Sequence, residues 1–218
     1  MTAVQSEDNA GLMGFLMRLR AWAITDAALL KRVESVPHDR FVPVEHFGLA
    51  WSDSLLPLPC GQTMYSPDLM VRMLVALDVD PSHSVLEIGT GSGYLTGLLA
   101  RSARKVKTLD RYKTLLNLAK QRLQALEISN VTFEQCDGRN GGRDDGLYDR
   151  IIADSSYDGP PRGLLDQLAA GGVVITAIGN SGEEQMLVRL TKIGSRFERE
   201  DLFPVRFTAL EEGAALSL

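Results

Sequence analysis

Three glycines in the middle of the chain, Gly89, Gly91 and Gly93, stand where a backbone loop could hold a charged ligand. They follow a short apolar run, Ser84–Ile88, that is typical of a buried strand, and they precede an apolar stretch over residues 94–103 that predicts a helix. A strand, a glycine turn and a helix open a doubly wound α/β domain, in which ligands bind beyond the carboxyl ends of the strands. The exposed backbone N–H groups at the helix start favour an anionic group such as a carboxylate.

The spacing of these glycines argues against a dinucleotide. The dinucleotide fingerprint G-x-G-x-x-G needs its last glycine beside a pyrophosphate, and Tyr94 occupies that position here, which also disfavours an NAD-dependent oxidoreductase. Asp110 ends the next apolar run, 23 residues after Glu87, where its carboxylate is placed to accept hydrogen bonds from ribose hydroxyls. A ribose without a pyrophosphate, next to an amino-acid-like group, describes S-adenosylmethionine. We therefore predict this cofactor; a Rossmann-like turn that binds no nucleotide is the alternative.

The composition restricts the partners and the compartment. The chain has 218 residues and a net charge of −5, so it gives no indication of the basic face that nucleic-acid binding usually needs. No apolar run approaches the ~18 residues of a membrane span, which predicts that no membrane partner is involved. Residues 1–9 are polar and acidic, so we expect a disordered or frayed N-terminus and no secretory signal. The two cysteines, Cys60 and Cys136, are expected to be free thiols, and we predict a cytoplasmic location.

Residues 10–80 predict a helical and loop extension that covers the site, ahead of the sheet. Thr25 is predicted to cap a helix, and Ser66 followed by Pro67 predicts the start of another. Between these helices, residues 54–60 are apolar but interrupted by prolines, which predicts an irregular loop because proline cannot donate to a strand ladder.

Residues 81–218 predict the ligand-binding α/β domain. Strand and helix patterns alternate through its middle, which implies a mainly parallel, doubly wound sheet with right-handed crossovers. The fourth strand of this sheet is predicted over residues 148–153, and residues 185–193 and 196–207 predict a closing antiparallel pair.

Two separated segments resemble one enzyme family. Gly61-Gln62-Thr63, followed by Pro67, lies upstream of the glycine loop Leu86-Glu87-Ile88-Gly89-Thr90-Gly91-Ser92-Gly93-Tyr94. Together with Asp137-Gly138-Arg139 and Val205-Arg206-Phe207, these segments resemble the protein-L-isoaspartate O-methyltransferases, which are carboxyl methyltransferases that repair damaged protein. The resemblance spans residues 26 to 210. The upstream segment is its specific part, because other class I methyltransferases share the glycine loop without it.

The resemblance implies a Rossmann-like class I fold with a seven-stranded sheet, an S-adenosylmethionine cofactor and an isoaspartyl protein or peptide as substrate. It places Thr63 where the cofactor meets the substrate carboxylate. The cofactor-binding residues that it implies are Glu87, Gly89, Thr90, Gly91, Gly93, Asp110, Arg111, Asp137 and Gly138.

The acceptor side departs from the family pattern. Met64 and Tyr65 follow Gly61-Gln62-Thr63 where the family reads isoleucine and serine, and Asp154 follows the fourth strand where the family carries small uncharged residues. Thr208-Ala209-Leu210 stands where the family reads valine, proline and leucine. We therefore expect a divergent acceptor site with Tyr65, Thr63 and Asp154 as its catalytic candidates.

The acceptor chemistry leaves alternatives open. A carboxylate acceptor is ionised at neutral pH and needs no general base, only alignment and the exclusion of water. A hydroxyl or amine acceptor on a small molecule or RNA would need a base, for which Asp154 is the leading candidate and His38 and His46 are weaker ones. A protein that binds S-adenosylmethionine without catalysis is a third hypothesis. Candidate donors for an acceptor carboxylate are Arg40, Arg206, Thr63 and Tyr65.

Overall fold

The computed structural model describes residues 3–142, 146–213 and 215, with side chains from residue 10 onwards. Three helices precede the main sheet: α1 (Ala3–Ala21), α2 (Ala27–Glu34) and α3 (Pro67–Leu77). The frayed N-terminus over residues 1–9 stays a prediction; helix α1 begins at Ala3, inside that segment. A helix can begin there because the segment contains no proline and no glycine, either of which would disfavour a helix.

The caps of the two following helices differ in how well the sequence predicted them. Ser66 caps α3 as predicted, with Pro67 at the first helical position and the Ser66 hydroxyl accepting from the N–H of Leu69 at 3.4 Å. The prediction of Thr25 as the cap of α2 is wrong by one residue. Asp26 takes that position, and its carboxylate accepts from the N–H of Leu29 at 2.7 Å.

The proline-interrupted segment contains a small hairpin that the sequence did not predict. Strand β1 (Leu56–Pro57) pairs antiparallel with β2 (Thr63–Met64), and the N–H of Leu58 donates to the carbonyl of Gln62 at 2.8 Å. Pro57 is tolerated because both strands of this two-stranded ribbon are edge strands. On an edge strand the N–H that proline lacks can face solvent, so no ladder hydrogen bond is lost. The hairpin brings the Gly61-Gln62-Thr63 segment to the tip of the extension.

The main sheet has the predicted strands and helices in alternation. The bounds of its elements are β3 (Ser84–Ile88), α4 (Tyr94–Ser102), β4 (Lys105–Asp110), α5 (Lys113–Ala125), β5 (Val131–Gln135), β6 (Tyr148–Tyr157), α6 (Arg162–Asp166), β7 (Leu168–Ile178), β8 (Gln185–Ile193) and β9 (Arg196–Val205). The strand order is β5-β4-β3-β6-β7-β8-β9. The pairs from β5 to β7 are parallel, and β8 is antiparallel to both of its neighbours, β7 and β9. The seven-stranded, mainly parallel sheet with a closing antiparallel pair is therefore confirmed.

Both faces of this sheet are covered. Alternate residues of the central strands enter two different apolar clusters, as Val85 and Leu86 of β3 illustrate. The first cluster includes side chains of α1, α3, α4 and α5, and the second includes Leu164 and Leu165 of α6. Burial on both faces explains why the central strands read as continuous apolar runs. No helix among the described residues is long and apolar enough to cross a membrane.

Strand β6 extends further than the sequence predicts. It continues through Asp154 to Tyr157, whereas the apolar pattern ends at Ala153. The pairing with β7 is irregular between Ile152 and Ser156, so the polar residues in this stretch leave the regular ladder before Ser156 pairs with Ala177. This irregularity places Asp154 at the carboxyl end of the sheet.

Candidate active site

A cleft lies at the carboxyl ends of the central parallel strands. Three regions distant in sequence form its walls: the tip of the N-terminal hairpin, the loops that follow β3 to β6, and the segment after β9. The lining residues are Gly61, Gln62, Thr63, Tyr65, Ile88, Gly89, Gly91, Leu109, Asp110, Arg111, Tyr112, Leu115, Asp137, Gly138, Asp154, Ser155, Thr208, Ala209, Leu210 and Glu211.

The glycine loop after β3 leaves the cleft open. Gly89 has a φ of +92°, and a Cβ at this position would lie 2.5 Å from Oδ1 of Asp154. Gly91 also has a positive φ, of +52°, and its N–H points to the Asp110 carboxylate at 3.1 Å. Glycine is needed at these two positions for its backbone conformation, and at Gly89 also because any side chain would collide with Asp154.

Asp110 ends β4 and ties the loops together. Its Oδ2 accepts from Gly91 and its Oδ1 accepts from the N–H of Tyr112 at 2.8 Å. Burial raises the pKa of the Asp110 carboxyl, against the effect of these N–H groups and of the neighbouring Arg111 charge. Each carboxylate oxygen has a second lone pair, so Asp110 can still accept hydrogen bonds from a ligand in the cleft.

Asp137 follows β5 and has more donors. The N–H groups of Arg139 and Gly213 donate to it at 3.1 and 2.8 Å, and the Arg139 guanidinium lies 3.2 Å from Oδ2. Burial opposes the charge of Asp137, but these donors outweigh that effect and lower the pKa of the carboxyl. Asp137 is therefore an ionised acceptor at neutral pH.

The cleft combines features that suit a nucleoside. Ile88, Leu109 and Leu115 form an apolar surface near the carboxylates of Asp110 and Asp137. The buried hydroxyl of Ser155 also lines the cleft and has no hydrogen-bond partner within the part of the chain that the structure describes. An apolar surface for a base, carboxylates for ribose hydroxyls and a hydroxyl without a partner fit the adenosine and amino-acid ends of S-adenosylmethionine.

Asp154 is the most perturbed carboxyl of the cleft wall. Burial, followed by the nearby charge of Asp110, raises its pKa to about 7. The side chain is half-buried and also lines a smaller adjoining cavity with Thr63 and Tyr65. At neutral pH, both protonation states of Asp154 are therefore populated. The neutral carboxylic acid can donate a hydrogen bond, and the carboxylate can only accept one.

Tyr65 lies at the meeting point of two walls. Its ring is packed edge-on against Phe207, with the ring centroids 4.7 Å apart, and its hydroxyl accepts from the N–H of Thr208 at 3.2 Å. Burial, followed by the charge of Asp154, raises the pKa of Tyr65, so the phenol is neutral. Tyr65 therefore links the hairpin to the segment that follows β9.

Three of the predicted cofactor residues lie behind the cleft wall. Glu87 is 1% exposed and accepts from the hydroxyl of Thr96 at 2.6 Å, and burial raises its pKa to about 8. Thr90 shares a hydrogen bond of 2.6 Å with Thr108. Gly93 starts α4, where an added Cβ would lie 2.7 Å from that of Ala119. These positions support the loop from behind, whereas the other predicted cofactor residues line the cleft.

The weaker candidates do not line the cleft. Arg40 and Arg206 are exposed outside it. His38 is 1% exposed; burial lowers its pKa to about 4, and its Nδ1 lies 2.5 Å from the carbonyl oxygen of Ala50. His38 is thus a neutral residue packed against Tyr94, which is a structural role. Cys60 and Cys136 are free thiols as predicted.

Sequence reasoning missed part of the wall. Tyr112 and Glu211 line the cleft, and the Tyr112 hydroxyl donates to Glu211 at 3.2 Å. From the sequence, Leu210 is noted only as part of a segment that departs from the family pattern, and Ser155 is not singled out. Tyr112 could have been found from its position two residues after Asp110, but no local pattern singles out Glu211.

The sequence profile of one family covers nearly the whole chain. The family described as protein-L-isoaspartate(D-aspartate) O-methyltransferase (PCMT) matches residues 12–215. The chain belongs to this family. The prediction of an S-adenosylmethionine-dependent protein-L-isoaspartate O-methyltransferase, an enzyme of protein repair, is thereby confirmed.

Similar full-length proteins carry the same family name. A protein-L-isoaspartate O-methyltransferase of Azorhizobium caulinodans is 41% identical over 218 residues, which is 100% of both chains. One of Rhodopseudomonas palustris strain BisB18 is 41% identical over 94% of this chain and 95% of its own.

Solved structures confirm the fold. A PCMT from Plasmodium falciparum, in complex with S-adenosyl-L-homocysteine, has a TM-score of 0.75 at 24% identity and covers 91% of this chain and 97% of its own. A second protein-L-isoaspartate O-methyltransferase has a TM-score of 0.78 at 23% identity and covers 92% of this chain and 66% of its own. None of these comparisons tests the expected divergence of the acceptor site, which stays a prediction.

Proposed function

We propose that this enzyme methylates the free carboxylate of isoaspartyl residues in proteins or peptides, and that its cofactor and acceptor meet between Asp110 and Tyr65. The observation that carries this proposal is that one cleft joins the two kinds of wall: Asp110 and Asp137 on one side, and Thr63, Tyr65 and Asp154 on the other. S-adenosylmethionine supplies a sulfonium methyl group when it is bound. The protein supplies alignment.

The cofactor side is assigned from its acceptors and its apolar surface. Asp110 and Asp137 are proposed to hold the ribose and the region near the adenine, with Gly138 and Arg111 beside them. Gly89 and Gly91 provide a wall without side chains next to the methionine end. Glu87, Thr90 and Gly93 are proposed to hold this loop in shape from behind, because each packs against protein atoms on the far side of the cleft wall.

The acceptor side needs donors but no strong base. An acceptor carboxylate is already ionised, since its unperturbed pKa is ~4, and the chain's net charge of −5 does not attract it. We propose that the neutral form of Asp154 and the hydroxyl of Thr63 donate to that carboxylate. Tyr65 narrows the site and keeps Thr208 in place. Residues 10–80 act as a cover, since the hairpin tip from that segment lines the cleft.

The test is base-labile methyl transfer from labelled S-adenosylmethionine to an isoaspartyl peptide, with the aspartyl twin of the same sequence as the control. We expect label on the isoaspartyl peptide alone. The matched variant is Tyr65→Ser, which restores the family residue: if this variant gains a large activity that the wild type lacks, the acceptor site has diverged. If neither protein labels any carboxylate although both bind S-adenosylhomocysteine, the proposed acceptor is wrong.

A second candidate function has one observation in its favour. A carboxyl with a pKa of about 7, such as that of Asp154, is suited to general-base catalysis on a hydroxyl or amine. A methylated product that resists base, and that is lost in Asp154→Asn, would favour this function over carboxyl methylation.

A further inference from the structure

The segment that follows β9 crosses the cofactor side of the cleft without regular secondary structure. We call residues 207–213 the C-terminal strap. Thr208, Ala209, Leu210 and Glu211 of the strap line the cleft, and the next two residues reach the carboxylate of Asp137 and its neighbour Arg139. The strap therefore lies over the loops that follow β4 and β5.

One end of the strap is fixed in the protein interior. The side chain of Gln185, which is 2% exposed, accepts from the N–H of Phe207 at 2.8 Å and donates to its carbonyl at 3.2 Å. The carbonyl of Thr208 accepts from the N–H of Ser156 at 3.2 Å, and the N–H of Thr208 donates to Tyr65. Buried and backbone hydrogen bonds of this kind do not respond to moderate salt.

The middle of the strap is held by charges in solvent. Glu211 forms an ion pair with Arg111 and accepts from the hydroxyl of Tyr112. Glu212 forms an ion pair with Arg139 at 2.9 Å, and the N–H of Gly213 donates to Asp137. The side chains of Glu211 and Glu212 are 60% and 83% exposed, so water and salt screen both pairs. Beyond the strap, Ala215 is anchored again: its N–H donates to the carbonyl of Arg111 and its carbonyl accepts from the Gln135 amide, both at 3.1 Å.

These contacts converge on residues that flank the proposed nucleoside site. Arg111 follows Asp110 directly, and Arg139 contacts Asp137, so the strap joins the ends of β4 and β5 across the cleft. A segment anchored at Phe207 and at Ala215 can lift between these two points without disturbing the core, because the ion pairs of Glu211 and Glu212 that must break are exposed. Exchange of a nucleoside held beneath it would require that opening.

We propose that Glu211 and Glu212 are positioning residues that fasten the C-terminal strap over the nucleoside, and that release of these two ion pairs gates the exchange of cofactor and product. This inference rests on the proposed roles of Asp110 and Asp137 in holding the cofactor. In this proposal the strap controls how long the cofactor and its product stay bound. It has no effect on the binding of the acceptor peptide.

The experiment uses the full chain and measures the dissociation rate of S-adenosylhomocysteine by stopped-flow displacement at low and high salt. The test variant is E211Q/E212Q, and the matched control is E198Q/E200Q, which removes two exposed charges of β9 outside the cleft. Exposed ion pairs are weak, so we expect the dissociation rate of the test variant to rise about threefold to tenfold at low salt. In the wild type, salt should raise the rate toward that value, and in the test variant salt should have little effect.

Two further readouts separate gating from a general loss of structure. KM for S-adenosylmethionine should rise in the test variant while KM for an isoaspartyl peptide stays unchanged, whereas a damaged fold would change both. The urea unfolding transition of E211Q/E212Q should match that of E198Q/E200Q, because each variant loses only exposed charges. An unchanged dissociation rate in E211Q/E212Q, or an equal rise in the control, would overturn the inference. Failure of the wild type to bind S-adenosylhomocysteine would instead refute the cofactor site itself.

Discussion

The two sides of the cleft hold their carboxylates in opposite ways. On the cofactor side, Asp110 and Asp137 receive backbone N–H groups at 2.8 to 3.1 Å, and at Asp137 the donors lower the pKa of the carboxyl. On the acceptor side, no comparable set of donors reaches Asp154 from the residues that the structure describes, and burial raises its pKa to about 7. Ionised carboxylates held by N–H groups suit the hydroxyls of a cofactor that does not change from one substrate to the next. A carboxyl that can be neutral near pH 7 suits the binding of an anionic acceptor, because its neutral form does not repel that anion.

The largest effect is expected on the cofactor side. Asp110→Ala removes the acceptor of two backbone N–H groups and a proposed ribose contact, so the glycine loop loses one of its links to β4. Hydrogen bonds to a charged group contribute roughly 1.5–3 kcal/mol, which corresponds to a loss of about 10-fold to 100-fold in affinity for S-adenosylhomocysteine. Isothermal titration calorimetry checks this, with Asp201→Ala as a control at an exposed aspartate of β9. Equal affinities in both variants would remove Asp110 from the binding site.

Asp154 is expected to give the acceptor side its pH dependence. If its neutral form donates to the acceptor carboxylate, kcat/KM for an isoaspartyl peptide should fall about tenfold between pH 6 and pH 8, as the carboxyl ionises through its pKa of about 7. Among the described residues, the titratable groups near Asp154 are Asp110, Glu87, Tyr65 and Tyr157. Because Asp154→Asn keeps a donor but cannot ionise, its pH profile should be flat over this range. If kcat/KM of Asp154→Asn still falls between pH 6 and pH 8 as it does in the wild type, another group is responsible for the titration.

The raised pKa of Asp154 also makes the stability of the fold depend on pH. A carboxyl whose pKa is higher in the folded state binds its proton more tightly there, so its contribution to stability is full below pH ~4 and is lost as pH rises through about 7. Asp154→Asn should therefore be more stable than the wild type at pH 8, by roughly 1–3 kcal/mol after allowance for the part of the side chain that is open to the cleft. Urea unfolding at pH 8 and pH 5 measures this gap, which should shrink at the lower pH.

The smallest effect is expected at Tyr65. Tyr65→Phe keeps the ring against Phe207 but removes the hydroxyl that accepts from Thr208, so the variant should lose about 0.5–1.5 kcal/mol of stability. KM for the peptide should rise about twofold to fivefold and affinity for S-adenosylhomocysteine should stay unchanged, because the hydroxyl orders only the acceptor side. A matched loss of affinity for both ligands would mean that Tyr65 serves the whole cleft.

Local sequence patterns were sufficient for most of the fold. Strand β3, the glycine loop and α4 could be predicted closely, because a buried apolar strand, residues free to adopt positive φ and a helix start each leave a short-range signal. The cap at Ser66 and the closing pair β8–β9 were equally readable. The hairpin β1–β2 and the extension of β6 to Tyr157 were not, because prolines and polar residues there are accommodated by edges and irregular pairing that depend on neighbours.

The sequence by itself determined the family and the cofactor chemistry, from the glycine loop and from the family resemblance. It predicted Asp110 from its spacing after Glu87, and Asp137 from the resemblance alone. Only the tertiary structure decided that Glu87 lies behind the cleft wall, that Asp154 titrates near neutrality, and that Glu211 and Glu212 reach Arg111 and Arg139 from about 70–100 positions along the chain. The physical reason is that burial and charge pairing depend on what surrounds a side chain after the chain has folded, and no local pattern records those surroundings.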